Sequence, residues 1–343
     1  MKKKWLMALL CALALALTAC AGAPNETTSV PVETMQPSVI TTQAPTEPAL
    51  PPDETNVLRQ FVLPENTSGD GEYSDQVYDT PYLREQISSI TILDTLADAP
   101  EEVWDASEAQ NGAVLCWVQP NGELYDLYIG AEGGVWAGQS ARNMFRGYTN
   151  AERIDFNNAF HTEQTLDMYG MFYSCDTLQA LDLSCFDTSQ VRTMESMFSG
   201  CDALETVDLS SFDTAHVERM DHMFDWCLSL EELELLHFDT ANVDNMASMF
   251  ANCASLTRLD LCNFETTRVT QMNGMFDGCR SLTELDVSGF DTSGVQDMGY
   301  LFRDCVSLEE LDLSHFDMSS IQYPTYKMFV NCPAGDDWKH LTR

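Results

Sequence analysis

Apolar positions in the second half of the chain recur with a fixed period. Phe172, Phe198, Phe224, Phe250, Phe276 and Phe302 stand 26 residues apart. A cysteine follows each phenylalanine at the third position (Cys175, Cys201, Cys227, Cys253, Cys279, Cys305), and a leucine follows each cysteine at the same interval (Leu178, Leu204, Leu230, Leu256, Leu282, Leu308). The spacings Phe145 to Phe172 and Phe302 to Phe329 are each one residue longer. Tyr148 replaces cysteine in the first copy, and the last copy carries Pro324 and ends at Cys332. A regular middle with irregular ends is the mark of a stacked array.

Each copy contains two patterns. Leu204, Val207 and Leu209, with Asp208 between the last two, predict a short strand of period two. Val217, Met220, Met223 and Phe224 follow at i, i+3, i+6 and i+7, which predicts a helix of two turns burying one face. Asp213-Thr214 supplies an oxygen for the free N–H groups at its start. Neither element can bury both of its sides alone, so copies are expected to stack with parallel strands about 4.8 Å apart. The predicted fold is an α/β solenoid over residues 145–332, a right-handed stack of 26-residue strand–helix units. Residues 57–144 do not follow the period and predict a β-rich N-terminal cap. Within it 87–93 reads as a strand, and 114–118 and 123–129 flank Gln119-Pro120-Asn121-Gly122 as a hairpin. Residues 333–343, polar around Trp338, predict a C-terminal cap.

Residues 1–19 have the form of a secretory signal, with Lys2, Lys3 and Lys4 ahead of an apolar run too short for a comfortable permanent span. The run ends in Leu17-Thr18-Ala19-Cys20, which resembles the bacterial lipobox and implies lipidation of Cys20. An ordinary signal with a chance cysteine is the alternative. Residues 20–56 then form the anchor and a linker; 21–56 hold seven prolines, seven threonines and no aromatic residue. Such a chain stays extended and would reach about 110 Å as a stalk. The expected location is the extracellular face of a bacterial membrane, held by lipid alone.

Residues 186–210 read Phe-Asp-Thr-Ser-x-Val-x-x-Met-x-x-Met-Phe-x-x-Cys-x-x-Leu-x-x-Val-Asp-Leu-Ser. With 125–135, Met144-Phe145 and Ile154-Asp155-Phe156, this string resembles the BspA-like leucine-rich-repeat surface proteins of bacteria over roughly residues 80–332. Glu234 and Glu265 at aspartate positions, and Met318 at a threonine position, depart from the pattern. The resemblance implies a leucine-rich-repeat-like stack and a binding or adhesion role toward host or microbial surface proteins, with no catalytic residues to carry over.

Charge narrows the partners. The chain has 17 Lys+Arg against 54 Asp+Glu, a formal charge of −37. Nothing in this balance neutralises a nucleic-acid backbone or docks on anionic lipid through a basic patch. At 44% hydrophobic residues, the chain can still bury a core.

The cysteine column is read first as reduced thiols plugging the core; partial disulfides and metal ligation are alternatives disfavoured by spacing, since no Cys-x-x-Cys pair occurs. The Met and Phe stripe, including the column Phe160 to Phe316, is read as interior filling. Asp187, Asp213, Asp239, Asp291 and Asp317 are read as helix caps. Asp182, Asp208, Glu234, Asp260, Asp286 and Asp312 should point out of the sheet beside Thr206, Glu232, Arg258, Glu284 and Glu310. Together they make an acidic concave face, the candidate ligand-binding surface. Solvated charge and calcium are its alternatives, although the Asp-x-Asp loop motif of calcium sites is missing. No catalytic, metal or cofactor motif is found, and the expectation is a non-catalytic protein. The rival readings are a hydrolase using Asp94, Asp98, Glu101, Glu102 and Asp105, and a self-assembling coat protein.

Overall fold

The computed structural model describes residues 56–60, 62–63, 80–325 and 327–341. The predicted signal segment, Cys20 and the linker up to residue 55 lie outside the described residues.

Alternating apolar residues build the N-terminal sheet. Strands β1 (Ile87–Leu93), β2 (Trp104–Asp105), β3 (Leu115–Asn121) and β4 (Leu124–Gly130) join β6 (Arg153–Asp155) in the order β2-β3-β4-β1-β6. β3 and β4 form an antiparallel hairpin in which Asn121 faces Leu124 across a turn holding Gly122 at φ 64. β1 runs parallel to both β4 and β6, and Ile87, Ile90, Ile92, Leu127 and Ile129 are fully buried. β6 falls within the first copy of the repeat, so this sheet closes directly onto the stack. β5 (Val135–Trp136) pairs in parallel with β7 (Phe160–His161).

Past this sheet the predicted strand–helix unit does not form. No α-helix occurs among the described residues; the only helical turns there are 3-10 segments at Arg84–Gln86 and Pro333–Leu341. The repeats are therefore not an α/β solenoid: among the described residues they are a stack of short strands in small mixed sheets, bridges and tight turns, with no α-helix. Hydrogen bonding gives the reason. In residues 217–226 the N–H groups of Met220, His222, Phe224 and Trp226 donate to Asn245, Ala247, Met249 and Ala251 of the next copy, at 3.2, 2.9, 2.9 and 2.9 Å. The intervening Met223 and Asp225 donate to Met220 and His222, three residues back, in four-residue turns. Groups that a helix would pair at i−4 are committed to the neighbouring copy. His222 and Trp226 also lie at φ 57 and 63, a left-handed conformation incompatible with a helix.

These turns form a continuous flank. Parallel bridges join Ser140, Asp167, Thr193, Arg219, Asn245, Gln271 and Asp297 without interruption. The opposite, strand-bearing flank is broken. There β8 (Ala180–Asp182) pairs with β9 (Thr206–Asp208), and β10 (Arg258–Leu259) pairs with β11 (Glu284–Leu285). The copy between them, with Glu231, Glu232 and Glu234 in close succession, has no strand.

Between the flanks lies the core. Val217, Met220, Met223, Phe224, Cys227 and Leu230 and their equivalents are almost wholly buried. Rings from Phe145 to Phe329 stack copy on copy, with centroids 5.4–5.9 Å apart and planes within 14°. A second column, at the corner, is hydrogen-bonded. Thr214 Oγ1 donates to Asp239 O at 2.9 Å and accepts the Asp239 N–H at 2.8 Å. Thr188, Thr240, Thr266 and Thr292 repeat this pair. The aspartates expected to cap helices instead close turns: Asp187, Asp213, Asp239, Asp291 and Asp317 each accept the N–H two residues on, at 2.8–3.0 Å.

Candidate interaction surface

The predicted ridge lies on the strand flank. Leu181 turns inward while Ala180 and Asp182 are exposed, because successive side chains of a strand alternate. Asp182, Thr206, Asp208, Glu232, Glu234, Arg258, Glu284, Asp286, Glu310 and Asp312 are all exposed, and Asp260 is half-buried. Asp182 stands opposite Asp208, and Arg258 opposite Glu284. Glu232 and Glu234 fall in the unpaired copy between these two strand pairs, so the ridge is a row of patches and not one continuous sheet face.

The ridge carboxylates have local work. Asp182, Asp208, Asp286 and Asp312 accept the N–H of Ser184, Ser210, Ser288 and Ser314 at 2.9 Å, and Asp260 accepts that of Cys262 at 3.2 Å. Glu234, one carbon longer, still reaches Leu236 N–H at 3.2 Å. The Ser184 N–H and hydroxyl hold Asp182 below the usual carboxylate range; the Ser210 hydroxyl and N–H do so for Asp208, and Ser314 for Asp312. Carboxylates on adjacent copies about 5 Å apart repel by about 0.8 kcal/mol even in water. Fixed ionisation across that repulsion leaves an anionic patch that a cationic partner relieves.

The turn flank, where the spacing predicts a helix burying one face, carries a second set of polar and aromatic groups. Arg219 Nε and Nη2 bond both oxygens of Asp221 at 3.0 and 2.8 Å, and Nη2 also meets Glu195 at 3.1 Å. Arg303 pairs bidentately with Asp277, one copy back. His222 Nδ1 lies 3.0 Å from Asp225, which raises its pKa against the opposing effect of burial. Burial pushes Glu195 and Asp277 upward. Trp226, at φ 63, is 52% exposed, in a backbone region that costs a bulky residue about 1–2 kcal/mol. The sequence did hold a signal for this: the residue before each cysteine of the column is Ser174, Gly200, Asn252, Gly278, Asp304 or Asn331, and Gly147 precedes Tyr148 in the first copy, mostly types suited to positive φ, with Trp226 the outlier.

The cysteine column is interior. Cys201 and Cys227 donate to Phe172 O and Phe198 O of the preceding copies at 3.2 Å, and Cys175, Cys253, Cys279 and Cys305 do likewise at 3.0–3.2 Å. All are free thiols, and burial pushes Cys175 up to about 12. Among the described residues no group of three or more His, Cys, Asp or Glu is placed to hold a metal ion. Of the N-terminal carboxylates, Asp94, Asp98, Glu101 and Glu102 are exposed. Asp105 accepts the Ser107 N–H and hydroxyl and the Gly112 N–H, which together bring it below its ordinary value despite burial. It is engaged in closing its loop.

A family model described as "Mycoplasma protein of unknown function, DUF285" matches residues 139–258 and 246–337, which take in the stacked copies. No curated protein and no solved structure matches the chain.

Proposed function

We propose, because the chain belongs to the DUF285 family and displays exposed charge from a closed core, that it is a lipid-anchored surface protein that binds extracellular macromolecules without chemistry of its own. Its anchor is Cys20 and its stalk the proline- and threonine-rich segment up to residue 56, holding the stack off the outer face of a bacterial membrane. The resemblance of residues 186–210 to BspA-like surface proteins supports an adhesive role, although the copies lack the helix of that repeat.

One observation carries this reading. Asp182, Asp208 and Asp312 are exposed on the strand flank, where aspartates are anionic at neutral pH, and their own turn serines lower them further. Such a patch suits a protein partner with a basic face, and long-range charge favours capture at low salt. The test is pull-down of candidate matrix proteins and microbial surface proteins by the full chain, at low and high salt. Reversing Asp208 and Asp260 to lysine is expected to weaken capture at least several-fold, with the unfolding midpoint retained. Capture that ignores both salt and the double reversal removes the ridge from the function.

A further inference from the structure

Four rings on the turn flank invite comparison, and three of them are covered. Arg142 lies 3.7 Å over Tyr169, Arg146 lies 4.9 Å over Tyr173, and Arg303 lies 4.5 Å over Tyr300. Among the described residues no cation or ring covers Trp226, which is 52% exposed. Its N–H donates to Ala251 O at 2.9 Å, so the next copy's Ala251 and Asn252 run alongside it. Asn252 Nδ2 donates to Asp225 Oδ1 at 3.3 Å, and Asp225 Oδ2 meets His222 Nδ1 at 3.0 Å. An amide, a carboxylate and an imidazole are thus joined in one network on the residues that flank Trp226 in its own copy and the next. One copy further on, a Cβ at Gly278 would stand 2.7 Å from Asn252 Oδ1, so the surface stays low there.

We propose that Trp226, with Asp225, Asn252 and His222, is a binding site for a neutral polysaccharide. The indole offers its face to the C–H face of a pyranose, and the three polar groups exchange hydrogen bonds with ring hydroxyls. Charge selects the class. On the turn flank Arg219 and Arg303 are already held bidentately by Asp221 and Asp277. Neither is left to balance a sulfate, uronate or phosphate, and the chain's formal charge of −37 repels polyanions. A protein partner would demand about 800 Å² of complementary ground, whereas this site is one ring with a polar border. The site is independent of the ridge proposed above.

The experiment is affinity electrophoresis of the full chain in gels containing mannan, dextran or a soluble β-1,3-glucan, with heparin as the polyanion control. At least one neutral polymer is expected to retard the protein, and heparin is not. Trp226→Gly should weaken retardation by about tenfold in apparent Kd, the scale of one lost stacking ring. Its unfolding midpoint should hold or rise, since glycine suits φ 63. Trp226→Phe should keep part of the affinity. The Asp208→Lys, Asp260→Lys variant should keep all of it, which separates failure of this site from failure of the ridge. The proposal is overturned if no neutral polymer retards the chain, if Trp226→Gly binds like the parent, or if heparin retards it more strongly. It is equally overturned if Trp226 proves necessary for capturing a protein while every polysaccharide fails.

Discussion

On the turn flank, bridges from Ser140 to Asp297 join successive copies without a gap, whereas on the strand flank, among the described residues, only β8–β9 and β10–β11 form strand pairs between copies, and elsewhere single bonds such as Thr257 N–H to Glu231 O at 3.4 Å link them. Both flanks repeat every 26 residues. What differs is how each meets its neighbour. The turn flank directs alternate N–H groups to the next copy and buries Val, Met, Phe and Cys behind them. The strand flank sets Asp182 opposite Asp208, a like-charge pair that weakens the strand pair it sits in, and its ladders are only two or three residues long. The contrast assigns cohesion mainly to one flank and display mainly to the other.

The comparison breaks most readily at the ring stack. Phe224 is fully buried between Phe198 and Phe250, with centroids 5.4 and 5.9 Å away. Phe224→Ala is expected to cost about 4 kcal/mol in urea unfolding, from lost burial and the cavity left behind. Val207→Ala, on β9 and only half-buried, should cost about 1 kcal/mol. Equal costs would mean that the strand flank is as cohesive as the turn flank.

A smaller effect tests the corner that joins them. Thr214→Val keeps the shape but leaves both the N–H and the carbonyl of Asp239 without their partner. The expected loss is about 2 kcal/mol, the usual scale for stranding buried polar groups. Hydrogen exchange at the Asp239 amide should accelerate with it. An amide that stays protected in the variant would show that the threonine ladder does not hold the copies in register.

The columns were legible in the sequence because each occupies one repeated environment: Phe, Cys and Leu recur since their neighbours above and below recur. Strand β1 and the β3–β4 hairpin were legible for local reasons, alternation in one and a turn signal in the other. The helix was misread because spacing of three and four describes inward side chains, not the path between them. Val217, Met220, Met223 and Phe224 point inward equally well from a helix and from tight turns, and periodicity alone cannot separate the two. The decisive mark was Gly200, Asn252, Gly278 and Asp304 before the cysteines, residues that favour positive φ where a helix would forbid it. Outward alternation is a local property, and all the ridge residues but the half-buried Asp260 are exposed. Their discontinuity depends on pairing between copies, which a single-copy pattern does not encode.

The smallest expected effect is in pH dependence, and there the flanks oppose each other. On the turn flank, burial raises Glu195 and Asp277, the latter against the pull of Arg303. A carboxyl with a raised folded pKa holds its proton more tightly when folded, so acidification through that pKa adds stability. On the strand flank, serine hydrogen bonds lower Asp182, Asp208 and Asp312, whose contribution is present above their unfolded pKa and lost as pH falls through the folded one. His222 is raised by Asp225, so its contribution is complete below the unfolded histidine pKa and lost as pH rises through the folded value. Thermal unfolding midpoints are therefore expected to rise from mildly alkaline toward mildly acidic pH, then fall once the ridge carboxylates protonate. His222→Asn should flatten the upper part of that profile and leave the acid limb unchanged, whereas Asp182→Asn with Asp208→Asn should soften only the acid limb. If His222→Asn moves the acid limb instead, the two flanks are coupled electrostatically through the stack and the division between cohesion and display fails at its weakest point.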